Sequence, residues 1–259
     1  MSADQFWKNP YFVPASDEAA SHKPFEPVFA LVAAAGSGSR TGLAWNKQFH
    51  KIGKTTVIVR TIQALHTCTQ IQAILVVAAP DEGERMAGLL CHSTFPRLLA
   101  ITAGGRTRQD SVAAGLSVLG LEINPSPSSP ILIHDGARCF VSQDVIERVI
   151  NGIRCYGACG AAVPVKDTIR VVDGDGCVQQ TPERSQLRAM QTPQGATWQM
   201  LSTAFQQAAL NHGSTTDDLA VLEQAGYPIH LVQGNDANIK LTTSEDLIYA
   251  DWLVSGKNQ

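Results

Sequence analysis

The sequence predicts an α/β fold, a mostly parallel twisted sheet with helices on both faces. Two observations predict it. Short apolar runs typical of buried strands alternate with longer segments in which apolar residues recur every three or four positions, as on one face of a helix. Strands that alternate with helices of this length favour parallel pairing through helical crossovers. We therefore expect a Rossmann-like architecture.

The elements follow in order from these patterns. A first apolar run opens at Phe29, and further strands are predicted at 73–79, 98–102, 130–134 and 230–232. Helical spacing predicts helices at 55–68, 82–91, 107–119, around 145–153, around 198–205, at 216–225 and at 243–253. Thr243 is a predicted N-cap, because its hydroxyl can accept from an N–H of the first helical turn. Gly53 and Lys54 predict a turn rather than a P-loop, because Gln48 stands where a P-loop needs its leading glycine.

The helical rhythm breaks between about 163 and 192. Extended segments are predicted at 163–172, 178–181 and 187–191, and no helix fits between them. We interpret this stretch as a β-arm inserted into the α/β domain. A small excursion of strands is marginally stable alone, so we expect it to lie against a twin subunit and to form a homodimer.

Composition limits the function. The 259 residues are 44% hydrophobic and carry a formal net charge of −3, which indicates a sizeable core and argues against a general nucleic-acid binder. No stretch approaches the ~20 apolar residues of a membrane span. The six cysteines lack the paired C-x-x-C spacing of zinc sites. We expect most of them to be buried thiols in a reducing compartment, which predicts a cytoplasmic protein.

The first 27 residues differ in composition from the rest. They contain four prolines and several acidic residues but no apolar h-region, so they match neither a signal peptide nor a transit peptide. We expect a flexible or surface-lying N-terminal extension at 1–27. A single domain at 28–259 then contains the arm.

The first predicted strand ends in a glycine loop. Gly36 and Gly38 lack side chains, so a bulky anion can approach the backbone N–H groups that the strand end frees. Arg40 and Lys47 then add two positive charges. The dinucleotide fingerprint is excluded, because Thr41 replaces its third glycine. The loop predicts a triphosphate site, and an ordinary strand-to-helix turn is the alternative.

Polar and charged residues also follow the other predicted strands. In an open α/β sheet, ligands bind at the carboxyl ends of the strands. Several cation-bearing loops at one sheet edge, in a mildly acidic protein, indicate a local site for anions. These residues are Gly104, Gly105, Arg108 and Ser111 after the third strand, Asp135 and Arg138 after the fourth, and Asn238 and Lys240 after the last.

Together these motifs resemble those of the 2-C-methyl-D-erythritol 4-phosphate cytidylyltransferase family. The resemblance covers residues 28–254. Each stretch is weak alone, but their order and separations are specific. The matching stretches lie at 34–40, 46–48, 104–112, 134–138, 164–168, 181–184, 191–194, 216–217 and 238–240.

The resemblance implies a nucleotidyltransferase that uses Mg²⁺ and joins CTP to a polyol phosphate. It implies that the glycine loop wraps the triphosphate and that the 104–111 loop reads cytosine and ribose. It also implies that two arm residues reach into the partner subunit's site. The implied catalytic residues are Arg40, Lys47 and Lys240; the nucleotide-binding residues are Ala34, Ala35, Gly36, Gly38, Gly104, Gly105, Arg108, Ser111 and Asp135; the substrate-binding residues are Asp135, Arg138, Thr168, Arg184, Thr192 and Lys240; and Asp135 would touch a metal held mainly by the CTP phosphates.

The chain departs from the family pattern at five positions. Asn46 replaces the usual proline before Lys47, so we expect a less rigid loop there. Gly136 should relax the backbone after the aspartate. The other departures are Thr107 and Ala237, where acids are common, and Cys139, where proline is usual.

Two other functions fit parts of the pattern. A cytidylyltransferase for ribitol 5-phosphate or another polyol phosphate would use the same glycine loop and Lys47. Lys166, Thr168 and Arg184 favour methylerythritol phosphate over that alternative. A nucleotide-binding protein that has lost catalysis would also keep the glycine loop. The presence of Arg40, Lys47 and Asp135 argues against this alternative.

Overall fold

The computed structural model describes residues 26–36, 46–211 and 215–256. Residues 1–25 of the predicted extension lie outside that range, as do Gly38 and Arg40 of the glycine loop. The strands described are β1 (Val28–Ala34), β2 (Lys51–Ile52), β3 (Thr55–Thr56), β4 (Ile71–Ala78), β5 (Leu98–Ala103), β6 (Pro130–Asp135), β7 (Ala158–Pro164), β8 (Val171–Val172), β9 (Val178–Gln180), β10 (Arg188–Thr197) and β11 (His230–Gln233). The helices are α1 (Val57–Thr67), α2 (Gly83–Leu89), α3 (Arg108–Glu122), α4 (Gln143–Tyr156), α5 (Trp198–Asn211), α6 (Asp218–Gln224) and α7 (Ser244–Ser255).

Seven strands form the central sheet in the order β11-β7-β10-β6-β1-β4-β5. β1 pairs in parallel with β4 and β6, β4 pairs in parallel with β5, and β7 pairs in parallel with β11. Among the described strands of this sheet, β10 alone runs antiparallel to its neighbours, β6 and β7. The predicted mostly parallel sheet is therefore confirmed. The carboxyl ends of β1, β4, β5 and β6 meet at one edge of the sheet.

The two faces of the sheet follow from the alternation of side chains along β1. Residues 28, 30, 32 and 34 pack into a core cluster that includes α1, α2 and α4. Phe29 and Leu31 face a second cluster that includes α3, α5 and α6. Both faces are apolar because helices cover both. Full burial of a side chain such as Leu31 contributes about 1.5–3 kcal/mol.

The predicted arm differs from the observed one at its borders. β7 and β10 pair with each other inside the central sheet, so the excursion proper spans 165–187 and contains the β8–β9 hairpin. The predicted absence of helix holds apart from a 3-10 turn at Arg184–Gln186. The start of β7 was not predicted, because 158–162 consists of small residues. These residues show no alternation of apolar and polar side chains and have a weak preference for strands.

The predicted turn at Gly53 is confirmed as the turn of the β2–β3 hairpin, where Gly53 has a φ of +62°. Helix α1 consequently begins at Val57, two residues later than predicted. A third core cluster joins this hairpin to α7. Thr243 caps α7 as predicted, and Asp246 completes a reciprocal capping box with it.

All six cysteines are free thiols. Cys91, Cys155 and Cys177 are exposed, so the expectation that most are buried is correct for only half of them. Among the described residues, no helix is both long enough and apolar enough to cross a membrane.

Candidate active site

A cavity of about 360 Å³ lies where β1, β5 and β6 end. A larger recess of about 470 Å³ lies beside Gln70 and Arg154 and includes none of the predicted site residues. The cavity of about 360 Å³ is lined by half of the predicted site residues. It is lined by Ala33, Ala35, Gly36, Lys47, Gln48, Gly105, Arg106, Thr107, Arg108, Ser111, Asp135, Ala137 and Lys240.

The remaining predicted residues fall into three groups. Ala34, Gly104, Arg138 and Thr192 lie outside the lining but next to residues that form it. Gly38 and Arg40 lie outside the described residues. Thr168 and Arg184 are exposed on the arm and do not line the cavity.

Asp135 is the carboxylate among the lining residues, and cations surround it. Lys240 Nζ lies 2.8 Å from Oδ2, and Arg108 Nη2 lies 3.1 Å from Oδ1. Arg138 Nε lies 3.6 Å from Oδ2. Burial disfavours the charged carboxylate, but Arg108 and Lys240 outweigh burial and hold the pKa of Asp135 well below its usual range. The cavity therefore contains an ionised carboxylate within a cluster of cations.

Arg108 is shared between two carboxylates. Its Nη1 donates to Asp218 Oδ1 at 2.6 Å, while its Nε and Nη2 face Asp135 Oδ1. Asp218 is fully buried and also accepts from Gln194 Nε2 at 2.7 Å. Burial raises the pKa of the Asp218 carboxyl, and the Arg108 guanidinium opposes that rise. Sequence reasoning missed Asp218, which is the first residue of α6 and directly follows the 216–217 motif.

The loop between β5 and α3 is shaped by its glycines. A Cβ on Gly104 would lie 2.6 Å from Ala35 Cβ and 2.7 Å from Ser111 Oγ. Ser111 Oγ donates to the carbonyl of Thr107 and accepts from the Gly105 N–H. Thr107, one of the departures from the family pattern, caps α3 in a reciprocal box with Asp110. The close packing holds this loop against the end of β1.

A hydrogen-bonded chain lies beneath Asp135. The Asp135 N–H donates to Thr192 Oγ1 at 3.0 Å, and that hydroxyl lies 3.1 Å from His134 Nδ1. His134 Nε2 lies 3.0 Å from the carbonyl of Arg138, so Nε2 carries the proton and Nδ1 accepts from Thr192. Burial lowers the pKa of His134 to about 4, so the ring is neutral. Thr192 thus fixes the backbone of Asp135.

Asn238 ties the loop that bears Lys240 to the same chain. Its Nδ2 donates to the Thr192 carbonyl at 2.7 Å and to Gln191 Oε1 at 3.3 Å. Its own carbonyl accepts from Arg138 Nη1 at 2.8 Å. Arg138 and Thr192 therefore position Lys240 and Asp135 from behind the cavity.

Lys47 and Gln48 belong to a 3-10 helix that forms part of the cavity wall. Asn46 caps this helix through Oδ1, and its Nδ2 donates to Glu82 Oε2 at 2.6 Å. Two hydrogen bonds thus hold the Asn46 side chain at the position where the family usually has proline. Gln48 is buried, and its Oε1 has no hydrogen-bond partner among the described residues. A Cβ on Gly136 would lie 2.9 Å from that oxygen.

The side chains of the cavity can bind magnesium through one carboxylate. Among the described residues, no three His, Cys, Asp or Glu side chains group as a metal site. Mg²⁺ prefers oxygen ligands, and it is commonly held by one or two carboxylates together with substrate phosphates and water. Asp135 supplies one such oxygen at the cavity wall. The site suits an ion that arrives with the phosphates.

Comparisons with known proteins agree with one another. The family model of 2-C-methyl-D-erythritol 4-phosphate cytidylyltransferase (IspD) matches residues 28–256. Enzymes of that name from Nostoc sp. (strain PCC 7120) and Geobacillus kaustophilus are 34% and 38% identical over 89% and 88% of this chain, and over 99% and 97% of their own lengths.

Solved structures give the same result. The crystal structure of 4-diphosphocytidyl-2C-methyl-D-erythritol synthase from Anaerococcus prevotii matches with a TM-score of 0.77 and 27% identity, over 89% of this chain and 99% of that one. A cytidylyltransferase structure from Thermus thermophilus matches with a TM-score of 0.68 and 30% identity, over 88% of this chain and 99% of that one.

Proposed function

The chain belongs to the 2-C-methyl-D-erythritol 4-phosphate cytidylyltransferase family, and we propose how its residues divide the work of the reaction. The enzyme joins CTP to 2-C-methyl-D-erythritol 4-phosphate and gives 4-diphosphocytidyl-2-C-methyl-D-erythritol and pyrophosphate, a step of the non-mevalonate isoprenoid pathway. The observation that supports the division is the cluster of cations around Asp135 at the strand ends.

The chemistry needs charge stabilisation more than proton transfer. An oxygen of the polyol phosphate attacks the α-phosphorus of CTP, and the bond from that phosphorus to the departing pyrophosphate breaks. The attacking oxygen is already anionic, so no general base is required. Two anions must meet and charge builds on the phosphoryl oxygens, so positioned cations supply most of the catalysis.

We assign the nucleotide to the side of the cavity formed by the glycine loop and the 104–111 loop. Gly105, Arg108 and Ser111 would contact cytosine and ribose, and the backbone at 34–36 would face the triphosphate. Gly38 stays a predicted nucleotide-binding residue. Lys47 lines the cavity and would stabilise the phosphoryl oxygens. Arg40 stays a predicted second cation for the same charge. Among the described residues, no atom lies within 4 Å of a Cβ placed on Gly36, so none of them blocks an anion from approaching that backbone.

The polyol phosphate is assigned to the side of Lys240. Its ammonium lies at the cavity wall beside Asp135, so it can pair with the incoming phosphate. Arg138 adds charge from behind and holds the Asn238 carbonyl. Asp135 would then be released partly from Lys240 as the phosphate takes over that cation. It would also contact Mg²⁺, which when bound would offset charge on the phosphate oxygens.

The arm would complete the polyol-phosphate site of a second subunit. Thr168 and Arg184 are exposed, and Arg184 Nη1 donates to the Lys166 carbonyl at 3.0 Å, which fixes the guanidinium on the arm surface. The β8–β9 hairpin also exposes Val171, Val172 and Val178. Exposed apolar residues on a two-stranded hairpin favour burial against another surface. We propose a cytoplasmic homodimer in which each arm reaches into the partner's site.

The proposal is tested by measuring pyrophosphate release from CTP and Mg²⁺ with methylerythritol phosphate and ribitol 5-phosphate in parallel reactions. We expect release with the first substrate. Release with ribitol 5-phosphate alone would overturn the substrate assignment but leave the charge argument standing. CTP binding without release for either substrate would indicate a nucleotide-binding protein without catalysis. Omission of Mg²⁺, with EDTA present, tests the metal.

A further inference from the structure

Arg108 has two acidic partners with different surroundings. Asp135 lines the cavity and also faces Lys240, whereas Asp218 is 1% exposed and does not line the cavity. The contact from Arg108 Nη1 to Asp218 is the shorter of the two, at 2.6 Å against 3.1 Å. The guanidinium is therefore held from behind by a carboxylate that a ligand in the cavity cannot reach.

Asp218 is itself fixed from the central sheet. Gln194 on β10 is 1% exposed and donates to Asp218 Oδ2, so the two carboxylate oxygens have separate partners. The neighbouring Asp217 is the N-cap of α6, because its side chain accepts from the Ala220 N–H. Asp218 is therefore not needed to cap the helix, and its carboxylate can pair with Arg108. In the described structure, Arg108 and Gln194 are the side-chain partners of the Asp218 carboxylate, and Arg108 is the charged one.

We propose that Asp218 is a positioning residue of the nucleotide site. It keeps Arg108 in place and compensates its charge when Asp135 turns to the incoming phosphates. Without it, the guanidinium would have Asp135 as its remaining acidic partner and would pair with that carboxylate more closely. Arg108 would then be drawn away from the nucleotide, and Asp135 would be less available. The inference rests on the proposed role of Arg108 in binding CTP.

The main test compares Asp218→Asn with Asp217→Asn. Both remove one negative charge, but asparagine at position 217 can still cap the helix and does not touch Arg108. We expect Asp218→Asn to raise the Kd for CTP, measured by calorimetry, at least about tenfold, a change equal to about 1.4 kcal/mol. The KM for methylerythritol phosphate should change less than the Kd for CTP. Asp217→Asn should bind CTP as the parent does.

A swap variant tests whether the position of the buried carboxylate matters. In Asp218→Asn/Gln194→Glu, the amide and the carboxyl exchange places, so the buried charge and their mutual hydrogen bond are retained while Arg108 loses its carboxylate. Because the buried carboxylate at position 194 would lack an arginine partner, we expect a thermal midpoint below the parent's, together with the weakened CTP binding of the single variant. Parent-like CTP affinity in a folded swap variant would overturn the proposal.

Arg108→Gln completes the experiment. If Asp218 acts through Arg108, adding Asp218→Asn to Arg108→Gln should weaken CTP binding no further. Additive losses would contradict the proposal. If Arg108→Gln itself binds CTP like the parent, the assignment of Arg108 to the nucleotide fails. If Arg108→Gln binds weakly while the Asp218 variants bind normally, only the role of Asp218 fails.

Discussion

The strand-end cavity and the arm are built in opposite ways. In the cavity, Asp135 is buried and pairs with Arg108 and Lys240, and Arg108 is shared with the buried Asp218. On the arm, every residue from 166 to 181 is exposed, and the ion pair of Lys166 with Asp236 lies in solvent. Buried pairs resist screening, whereas exposed pairs contribute little. One chain thus preassembles the nucleotide half of the site, while the arm residues lack a comparable environment.

The largest expected effect is on kcat and concerns Lys47 in the cavity. Lys47→Ala should lower kcat by about 10²–10³, or about 2.7–4 kcal/mol, because it removes a fixed positive charge beside the reacting phosphoryl group. Lys54→Ala is the matched control, since Lys54 is exposed in the β2–β3 turn. Steady-state pyrophosphate release measures both. A decrease of less than fivefold for Lys47→Ala would contradict its assignment.

The next effect concerns the arm. Thr168→Ala and Arg184→Ala should raise the KM for methylerythritol phosphate and leave the Kd for CTP nearly unchanged. The loss of a hydrogen bond to a charged group corresponds to about 1.5–3 kcal/mol. Arg170→Ala removes a neighbouring arm cation that bonds Thr181 and serves as the control. Equal weakening of both substrates would show that these residues do not belong to the polyol-phosphate half.

The free energy of unfolding should depend on pH through His134, which lies beneath the cavity, and not through the arm. The folded pKa of His134 is about 4, below its unfolded value near 6.5, so the unfolded state binds the extra proton between them. The free energy of unfolding should therefore fall by about 1.4 kcal/mol for each pH unit from pH 6 towards pH 4.5. Chemical denaturation at several pH values measures the slope. For His134→Gln, the decrease in the free energy of unfolding per pH unit should be smaller by about that amount. An unchanged slope would contradict the buried neutral ring.

The smallest effect tests the packing of Gln48. Gly136→Ala would restore the residue usual in the family and push the Gln48 amide by its new Cβ. Because that amide is the end of a flexible side chain, the free energy of unfolding should fall by only about 1 kcal/mol. Thermal unfolding and the KM values for both substrates report the outcome. A loss several times larger would mean that the backbone, and not Gln48, has to move.

The sequence was sufficient where local pattern decides structure. The apolar runs at β1, β4 and β6 predict buried parallel strands, and residues that follow strand ends necessarily share one edge of the sheet. Arg108, Asp135 and Lys240 follow predicted strands, and they line one cavity together with Lys47. Their roles stay predictions. The cap at Thr243 was predictable for the same local reason.

Residues that act through tertiary contacts were not predictable. Asp218 is 110 positions from Arg108, and Gln194 reaches it from a strand whose antiparallel pairing has no local signal. His134 and Gln48 lie beside predicted residues, but their burial depends on how three elements pack. The borders of the arm were missed because β7 is made of small residues, whose strand conformation comes from pairing and not from propensity.

Subunit mixing tests the central claim most directly. Lys47→Ala removes a group from the subunit's own cavity, and Arg184→Ala removes a group that would serve the partner's cavity. A mixed dimer of the two variants would hold one cavity with every group intact. Equal amounts, exchanged under mild denaturant and refolded, should recover about a quarter of the parent's activity, since half of the dimers are mixed and each has one intact site. No gain over the separate variants would contradict an arm that completes the partner's site.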